Sequence, residues 1–183
     1  MNYSTFADIK GPILFESDVF HDDRGFFMES YHKDKFNKIF KEEGYIPEFV
    51  QDNHAYSKKG VIRGLHFQLA QPQGKLVRCI RGEIIDYAVD IRTESDTFGK
   101  WIGVRLNDTN RKQLWLPRGF AHGYEVLSEE AEVTYKVDEI FIPKYDCGII
   151  WDDKDLNINW KTENPIVSDK DKMLSNLSVV YEQ

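Results

Sequence analysis

The chain is poor in cysteine, with two in 183 residues and neither in a Cys-x-x-Cys pair. That excludes a disulfide scaffold and a cysteine-built zinc ribbon. Cys79 and Cys147 lie in apolar surroundings, so buried, reduced thiols in a cytoplasmic protein are expected. The chain also lacks a basic excess: 24 Lys and Arg stand against 31 Asp and Glu, a net charge of −7. This removes the overall footprint of nucleic-acid or acidic-membrane binding. An anionic small molecule would need a local cluster of Arg and Lys. No apolar run approaches bilayer length, and the first six residues show no basic region followed by an apolar stretch. Neither a membrane span nor a signal peptide is expected. Linkers, repeats and low-complexity tracts are missing too, so residues 1–183 read as one domain with a sizeable core.

What is present is a soluble balance, 41% hydrophobic and 30% charged, with 14% aromatics that lean towards strands. One helix is predicted, capped by Asp34, with Phe36, Ile39 and Phe40 on one face and Gly44 at its end. Short strand-like runs follow at Phe49-Val50, Val61 to Gln68, Lys75 to Ile80, Ile84 to Ile91, Trp101 to Leu106, Gln113 to Leu116, Gly123 to Leu127 and Glu132 to Val137. Turn signals such as Lys59-Gly60, Arg81-Gly82 and Asn107-Asp108 separate them. Many short strands with regular turns predict an antiparallel sandwich or barrel. A second helix is expected after Ser168, packing Met173, Leu174 and Leu177.

The most informative residue is His66, in Val61-Ile62-Arg63-Gly64-Leu65-His66-Phe67-Gln68. An imidazole on such a strand is either a proton acceptor in a pocket or a core histidine satisfied by a neighbour. Tyr135 shares a face with Val133 and Val137 by period-2 parity, and a buried phenol needs a partner, structural or substrate. In Asp23-Arg24-Gly25-Phe26-Phe27-Met28-Glu29 the aromatics are either core residues of an edge strand or part of a ligand clamp. In the second case Arg24 would meet a phosphate through its planar fork. Gln51 and Asn53 share a strand face and carry amides able to read a pyrimidine edge; turn chemistry is the plainer reading. Ser168-x-x-Asp171 has capping-box spacing, and Asp171 either stabilises that helix start or orients an imidazole.

Pro117-Arg118-Gly119-Phe120-Ala121-His122-Gly123 resembles the second motif of the cupin superfamily, small jelly-roll barrels. Many cupins bind a metal through two histidines and a glutamate of a first motif. No His-x-His precedes the Arg81-Gly82 turn here, and His66 and His122 alone are too few ligands for a tight site. No metal is expected, which disfavours a metal-dependent cupin oxygenase.

Asp-Arg-Gly-Phe-Phe, Phe-Val-Gln-Asp-Asn, Arg-Gly-Leu-His-Phe-Gln, Gln-Gly-Lys-Leu-Val-Arg, Pro-x-Gly-Phe-Ala-His-Gly and Trp-Asp-Asp occur in this order. They begin at Asp23, Phe49, Arg63, Gln73, Pro117 and Trp151. Together they resemble the dTDP-4-dehydrorhamnose 3,5-epimerase family from about Val19 to Lys172. The resemblance implies a mainly β, cupin-like antiparallel jelly roll with a few short flanking helices. It implies a homodimer acting on dTDP-4-keto-6-deoxy-D-glucose without metal or organic cofactor. His66 matches the family's base, Asp171 its partner, and Lys75 the residue facing the developing oxyanion. Tyr135 matches an inward phenol near the sugar, and His122 lines the same pocket. Arg24 and Arg63 are the expected diphosphate contacts. Phe27, Glu29, Gln51 and Asn53 are candidates for the nucleotide end, some of them supplied by the partner subunit. Two departures stand out. Phe141 occupies the place of a tyrosine taken as the acid on the opposite sugar face, which puts C5 epimerisation in question and leaves water or Tyr135 as donor. Trp160-Lys161 replaces a common Trp-Pro, read as a surface change. The alternatives are a C3-only epimerase of a related 4-keto-6-deoxy sugar and a non-catalytic nucleotide-sugar-binding cupin.

Overall fold

Alternating side-chain direction along the strands sorts the chain into two sheets. The computed structural model describes residues 1–180. In chain order come β1 (Asn2–Phe6), β2 (Ile9–Glu16), β3 (Val19–Asp22), β4 (Gly25–Met28), α1 (Lys33–Glu42), β5 (Gln51–Lys58), β6 (Ile62–Gln68), β7 (Lys75–Arg81) and β8 (Glu83–Asp90). Then follow β9 (Trp101–Asn107), β10 (Gln113–Leu116), β11 (Phe120–Val126), β12 (Glu130–Val137), β13 (Asp146–Gly148), α2 (Asp169–Lys172) and α3 (Leu177–Val180). One sheet has the order β1-β2-β10-β7-β12-β5, the other β13-β6-β11-β8-β9, and β3 and β4 form a hairpin of their own. Pairing within both sheets and the hairpin is antiparallel. This is the cupin-like jelly roll that the motifs imply.

Between the sheets Val77 and Cys79 of β7, Leu114 of β10 and Val133 of β12 meet Ile84 and Ala88 of β8 and Tyr124 and Val126 of β11. The other face of the second sheet, with Leu65, Ile85, Tyr87 and Val89, is covered by Leu156, Ile158 and Leu177. Buried on both faces, β8 therefore reads as a nearly continuous apolar run. On the first sheet, α1 lays Phe36, Ile39 and Phe40 on Ile13, Phe15 and Trp115. Each such side chain contributes about 1.5–3 kcal/mol on burial. Inward parity also carries Gln51, Asn53, Lys75, His122 and Tyr135, so polar groups share the interior with the aliphatic core.

Several sequence expectations are corrected. Helix α1 begins at Lys33 with His32 at the N-cap, and Asp34 lies in the first turn. There its charge meets the positive end of the helix dipole rather than capping it. Gly44 follows the helix with φ +89, as a terminating glycine should. Phe49 and Val50 precede β5, and Val50 contributes one hydrogen bond to Val137 O. Of the four strands before α1 only β4 was anticipated, as an edge strand, and its Phe26 and Phe27 are exposed rather than core. Strands β1 and β3 expose most of their side chains and show no alternating apolar face, and Gly11-Pro12 interrupts the pattern of β2. After Ser168 come two short helices, not one. Leu177 is buried, Leu174 half-buried, and Met173 is 84% exposed. Lys161 is more than a surface change: its N–H donates to buried Glu125, at 2.9 Å to Oε2, a bond a proline has no hydrogen to make. Cys79 and Cys147 are free thiols; Cys79 is buried and Cys147 only partly so. Among the described residues no helix is long and apolar enough to cross a membrane.

Candidate active site

Two glycines let the site form. Gly64 of β6 lies so close to β11 that a Cβ on it would stand 2.6 Å from Gly123 Cα and 2.7 Å from His122 O. Its φ of +120 is also one that side chains disfavour. The close approach sets His66 directly opposite His122 across the β6–β11 pair.

His66 Nε2 donates to Asp171 Oδ1 at 2.7 Å. The other oxygen, Oδ2, accepts the Gly64 N–H at 3.3 Å. Ser168 Oγ caps α2 by accepting the Asp171 N–H at 3.1 Å. The backbone of Asp171 thus serves the cap while its side chain turns to His66. Burial raises the Asp171 pKa, but the His66 bond and charge, with the Gly64 N–H, outweigh it and leave the carboxyl below its ordinary range. An ionised carboxylate only accepts, so the His66 proton sits on Nε2 and Nδ1 is left to take another.

Lys75, first in β7, is buried and donates to His66 O at 3.4 Å. Burial pushes its pKa down to about 8, opposed by the charges of Asp86 and Asp146. His122 donates from Nε2 to Asp86 Oδ1 at 2.7 Å, both residues being buried. Desolvation lowers the His122 pKa against the pull of Asp86. Asp86 Oδ2 is buried with no hydrogen-bond partner among the described residues. Tyr135 stands opposite Asn53 on the β12–β5 ladder, and burial raises its phenol pKa, opposed by Arg63.

These groups border one cleft with two lobes. The larger, of about 320 Å³, is lined by Gln51, Asn53, Gln68, Gln73, Phe141, Asp146 and Lys170 besides the residues shared with its neighbour. The smaller, of about 180 Å³, is lined by Arg63, His122 and Tyr124. His66, Lys75 and Tyr135 line both. Arg63 holds its guanidinium by donating to Ser57 Oγ at 3.0 Å and Tyr56 O at 3.2 Å. Gln51 Nε2 donates to Asn53 Oδ1 at 2.9 Å, so the two amides share a face as expected. Phe141 is 43% exposed, beside Gln51, whose Oε1 accepts the Phe141 N–H. Two phenols line the smaller lobe beside His66, Lys75 and His122: Tyr124, whose hydroxyl meets Ser57 Oγ at 3.4 Å, and Tyr135, which borders the larger lobe as well.

The structure does not bring Arg24, Phe27 and Glu29 to this cleft. The Arg24 side chain is 90% exposed and paired with Asp22. Phe27 is 67% exposed on the hairpin, and Glu29 is paired with Lys35. Conversely, Asp86, Gln68, Gln73, Asp146 and Lys170 were not among the expected site residues. Asp86 had a signal, a carboxylate on the inward parity of the apolar β8 run. Lys170 adjoins Asp171 and is ion-paired with Asp146. For Asp146 the local sequence carries no signal.

A jelly roll whose interior holds a His–Asp pair, a buried lysine and a half-buried phenol is a cupin-type protein with the groups that proton transfer at carbon requires. The family model described as dTDP-4-dehydrorhamnose 3,5-epimerase matches residues 7–178. The dTDP-4-dehydrorhamnose 3,5-epimerase of Shigella flexneri is 54% identical over 90% of each chain. That of Methanothermobacter thermautotrophicus is 52% identical over 91% of this chain and 89% of its own. The crystal structure of the dTDP-6-deoxy-D-glucose-3,5-epimerase of Legionella pneumophila in complex with dTDP-4-keto-L-rhamnose superposes with a TM-score of 0.89. It is 41% identical, over 93% of this chain and 90% of that one. The chain belongs to the dTDP-4-dehydrorhamnose 3,5-epimerase family.

Proposed function

We propose that the protein is an isomerase that epimerises C3 and C5 of dTDP-4-keto-6-deoxy-D-glucose, giving dTDP-4-keto-L-rhamnose for dTDP-rhamnose biosynthesis. The observation that carries this is the His66–Asp171 pair facing a cleft shared with Lys75 and Tyr135. A C–H beside a ketone becomes acidic when the enolate oxygen is stabilised as it forms. His66 Nδ1 takes the proton, the C–H electron pair moves into a C=C bond, and the carbonyl pair moves onto the C4 oxygen. Asp171 steadies the imidazolium. Lys75 donates to that oxygen, with His122 lining the same wall. Tyr135 delivers a proton to carbon on the opposite face, which inverts the centre and restores the ketone. Solvent takes the proton from His66 and returns one to Tyr135, and the sequence repeats at the second carbon.

Phe141 is no obstacle on this reading, because the half-buried phenol of Tyr135 serves as the acid. Relatives about half identical to this chain bear the 3,5-epimerase name, which favours the double reaction over a C3-only one. An assembled His–Asp pair favours catalysis over mere binding of a nucleotide-sugar.

The acting unit is one domain, residues 1–183, paired as a homodimer. Support comes from the β3–β4 hairpin, whose Phe20, Phe26 and Phe27 are exposed and whose Arg24 lies outside its own cleft. Crossing to a second copy, it would bring Arg24 to the diphosphate beside Arg63, with Phe27 and Glu29 near the base. Gln51 and Asn53 border that end from within the chain. The two free thiols fit a reducing compartment, and the cytoplasm is the proposed location. The test is proton NMR of the reaction in deuterated water. Deuterium at both C3 and C5 is expected; deuterium at C3 alone would replace the reading with a single epimerase.

A further inference from the structure

Three glutamine side chains converge on one stretch of main chain. Residues 139–142 pass the cleft mouth outside any strand or helix and carry Phe141. Gln73 Nε2 donates to Glu139 O at 2.7 Å, and Gln68 Nε2 donates to Ile140 O at 3.3 Å. The Phe141 N–H goes to Gln51 Oε1 at 3.1 Å, and the Ile142 N–H to Gln68 Oε1 at 2.6 Å. Each of the four residues thus has a main-chain polar group held by a glutamine. Gln68 is itself buried, and its amide also donates to Gln71 O at 2.8 Å. A segment outside regular structure has no ladder to fix it. A glutamine head, donor and acceptor at once, supplies one.

We propose that Gln68 and Gln73 are positioning residues, which clasp residues 139–142 and so hold the Phe141 ring as a fixed wall for the base of the bound nucleotide-sugar. The inference rests on the nucleotide-sugar reading above. Neither glutamine touches the reacting atoms. A flat heterocycle stacked on an aromatic side chain gains binding free energy. A ring fixed before binding keeps that gain, whereas a ring on a loose loop loses part of it to ordering. The clasp therefore acts on binding, and His66, Lys75 and Tyr135, on strands of their own, set turnover.

Gln73→Met keeps the side-chain length and loses the donor. Calorimetric titration with dTDP and steady-state kinetics with dTDP-4-keto-6-deoxyglucose read the effect. The dTDP Kd and the substrate KM rise together, about fivefold to tenfold, while kcat falls by less than about twofold. In protein already carrying Phe141→Ala, the same change adds nothing, because the wall it holds is gone. Gln68→Glu keeps the acceptor for Ile142 and loses the donor to Ile140, and its Kd moves in the same direction. An unchanged Kd in Gln73→Met, full additivity with Phe141→Ala, or a fall in kcat at constant KM would overturn the clasp. Wild-type protein that fails to bind dTDP would instead count against the nucleotide-sugar reading, which the first titration checks separately.

Discussion

Asp171 Oδ1 lies 2.7 Å from His66 Nε2, although 105 residues separate the two in the chain. The pairing leaves Nδ1 as the basic nitrogen and places a negative charge beside the imidazolium that forms. Asp171→Asn removes the charge at nearly constant shape. The kcat should fall by about 10²–10⁴ with KM little altered, since general-base help of this kind is worth that much. Steady-state kinetics check it, and a kcat within a few-fold of the wild type would remove Asp171 from the role.

Tyr135 and Phe141 divide what the sequence pattern attributed to two tyrosines. Tyr135 borders both lobes of the cleft beside His66, whereas Phe141 stands at the mouth. Phe141→Tyr should therefore leave the ratio of C5 to C3 products unchanged. Tyr135→Phe should suppress inverted product at both carbons while some exchange with solvent at C3 survives. Product analysis by NMR separates the cases, and a rise of C5 product in Phe141→Tyr would show that the mouth residue limits the reaction.

Lys75 gives the account a pH dependence with a definite sign. Its neighbours are Asp86 and Asp146, which favour the ammonium, and burial, which opposes it and holds the pKa to about 8. The cationic imidazoles that His66 and His122 can form lie on the facing strands. A lysine that must be charged loses its effect as pH rises, so kcat should decline through about pH 8. Asp86→Asn withdraws a charge that favours the ammonium, and the alkaline limb should move to lower pH; a limb that stays in place would separate it from Lys75. Stability runs the other way. With the folded value below the ordinary 10.5, the folded state binds fewer protons between about 8 and 10.5. The Lys75 contribution is then fully present above 10.5 and lost as pH falls through about 8.

The exposed hairpin can be tested by complementation. Arg24→Ala and His66→Ala proteins should each be weakly active or inactive. Mixed and allowed to exchange subunits, they form hybrids in which one cleft has both its own His66 and the other copy's Arg24. Activity should return towards that of one intact site per dimer. No recovery on confirmed exchange would mean that the hairpin serves its own chain or none.

Much of this architecture is legible because burial imposes periodicity. The helix Phe36-Ile39-Phe40 face and the parity of Val133, Tyr135 and Val137 both appear in the fold. Of the β3–β4 hairpin only the second strand was read, as an edge strand, and its pairing escaped notice, since its aromatics are exposed and nothing within the chain forces an alternating pattern. In the site, His66 and Tyr135 announced themselves as polar groups on strands with apolar neighbours, His122 through its cupin-like motif and Lys75 through the family resemblance. Asp171 announced itself only through the family resemblance, because its local spacing read equally well as a helix cap. Asp146 and Gln73 act across turns and loops, where contact depends on the folded path of the chain rather than on any local period.

The central claim is that His66 removes the proton beside the ketone. His66→Ala protein, folded by circular dichroism, incubated with dTDP-4-keto-6-deoxyglucose in deuterated water, tests this most directly. The account predicts that deuterium enters neither C3 nor C5 above the rate without enzyme. Incorporation at the wild-type rate would contradict it.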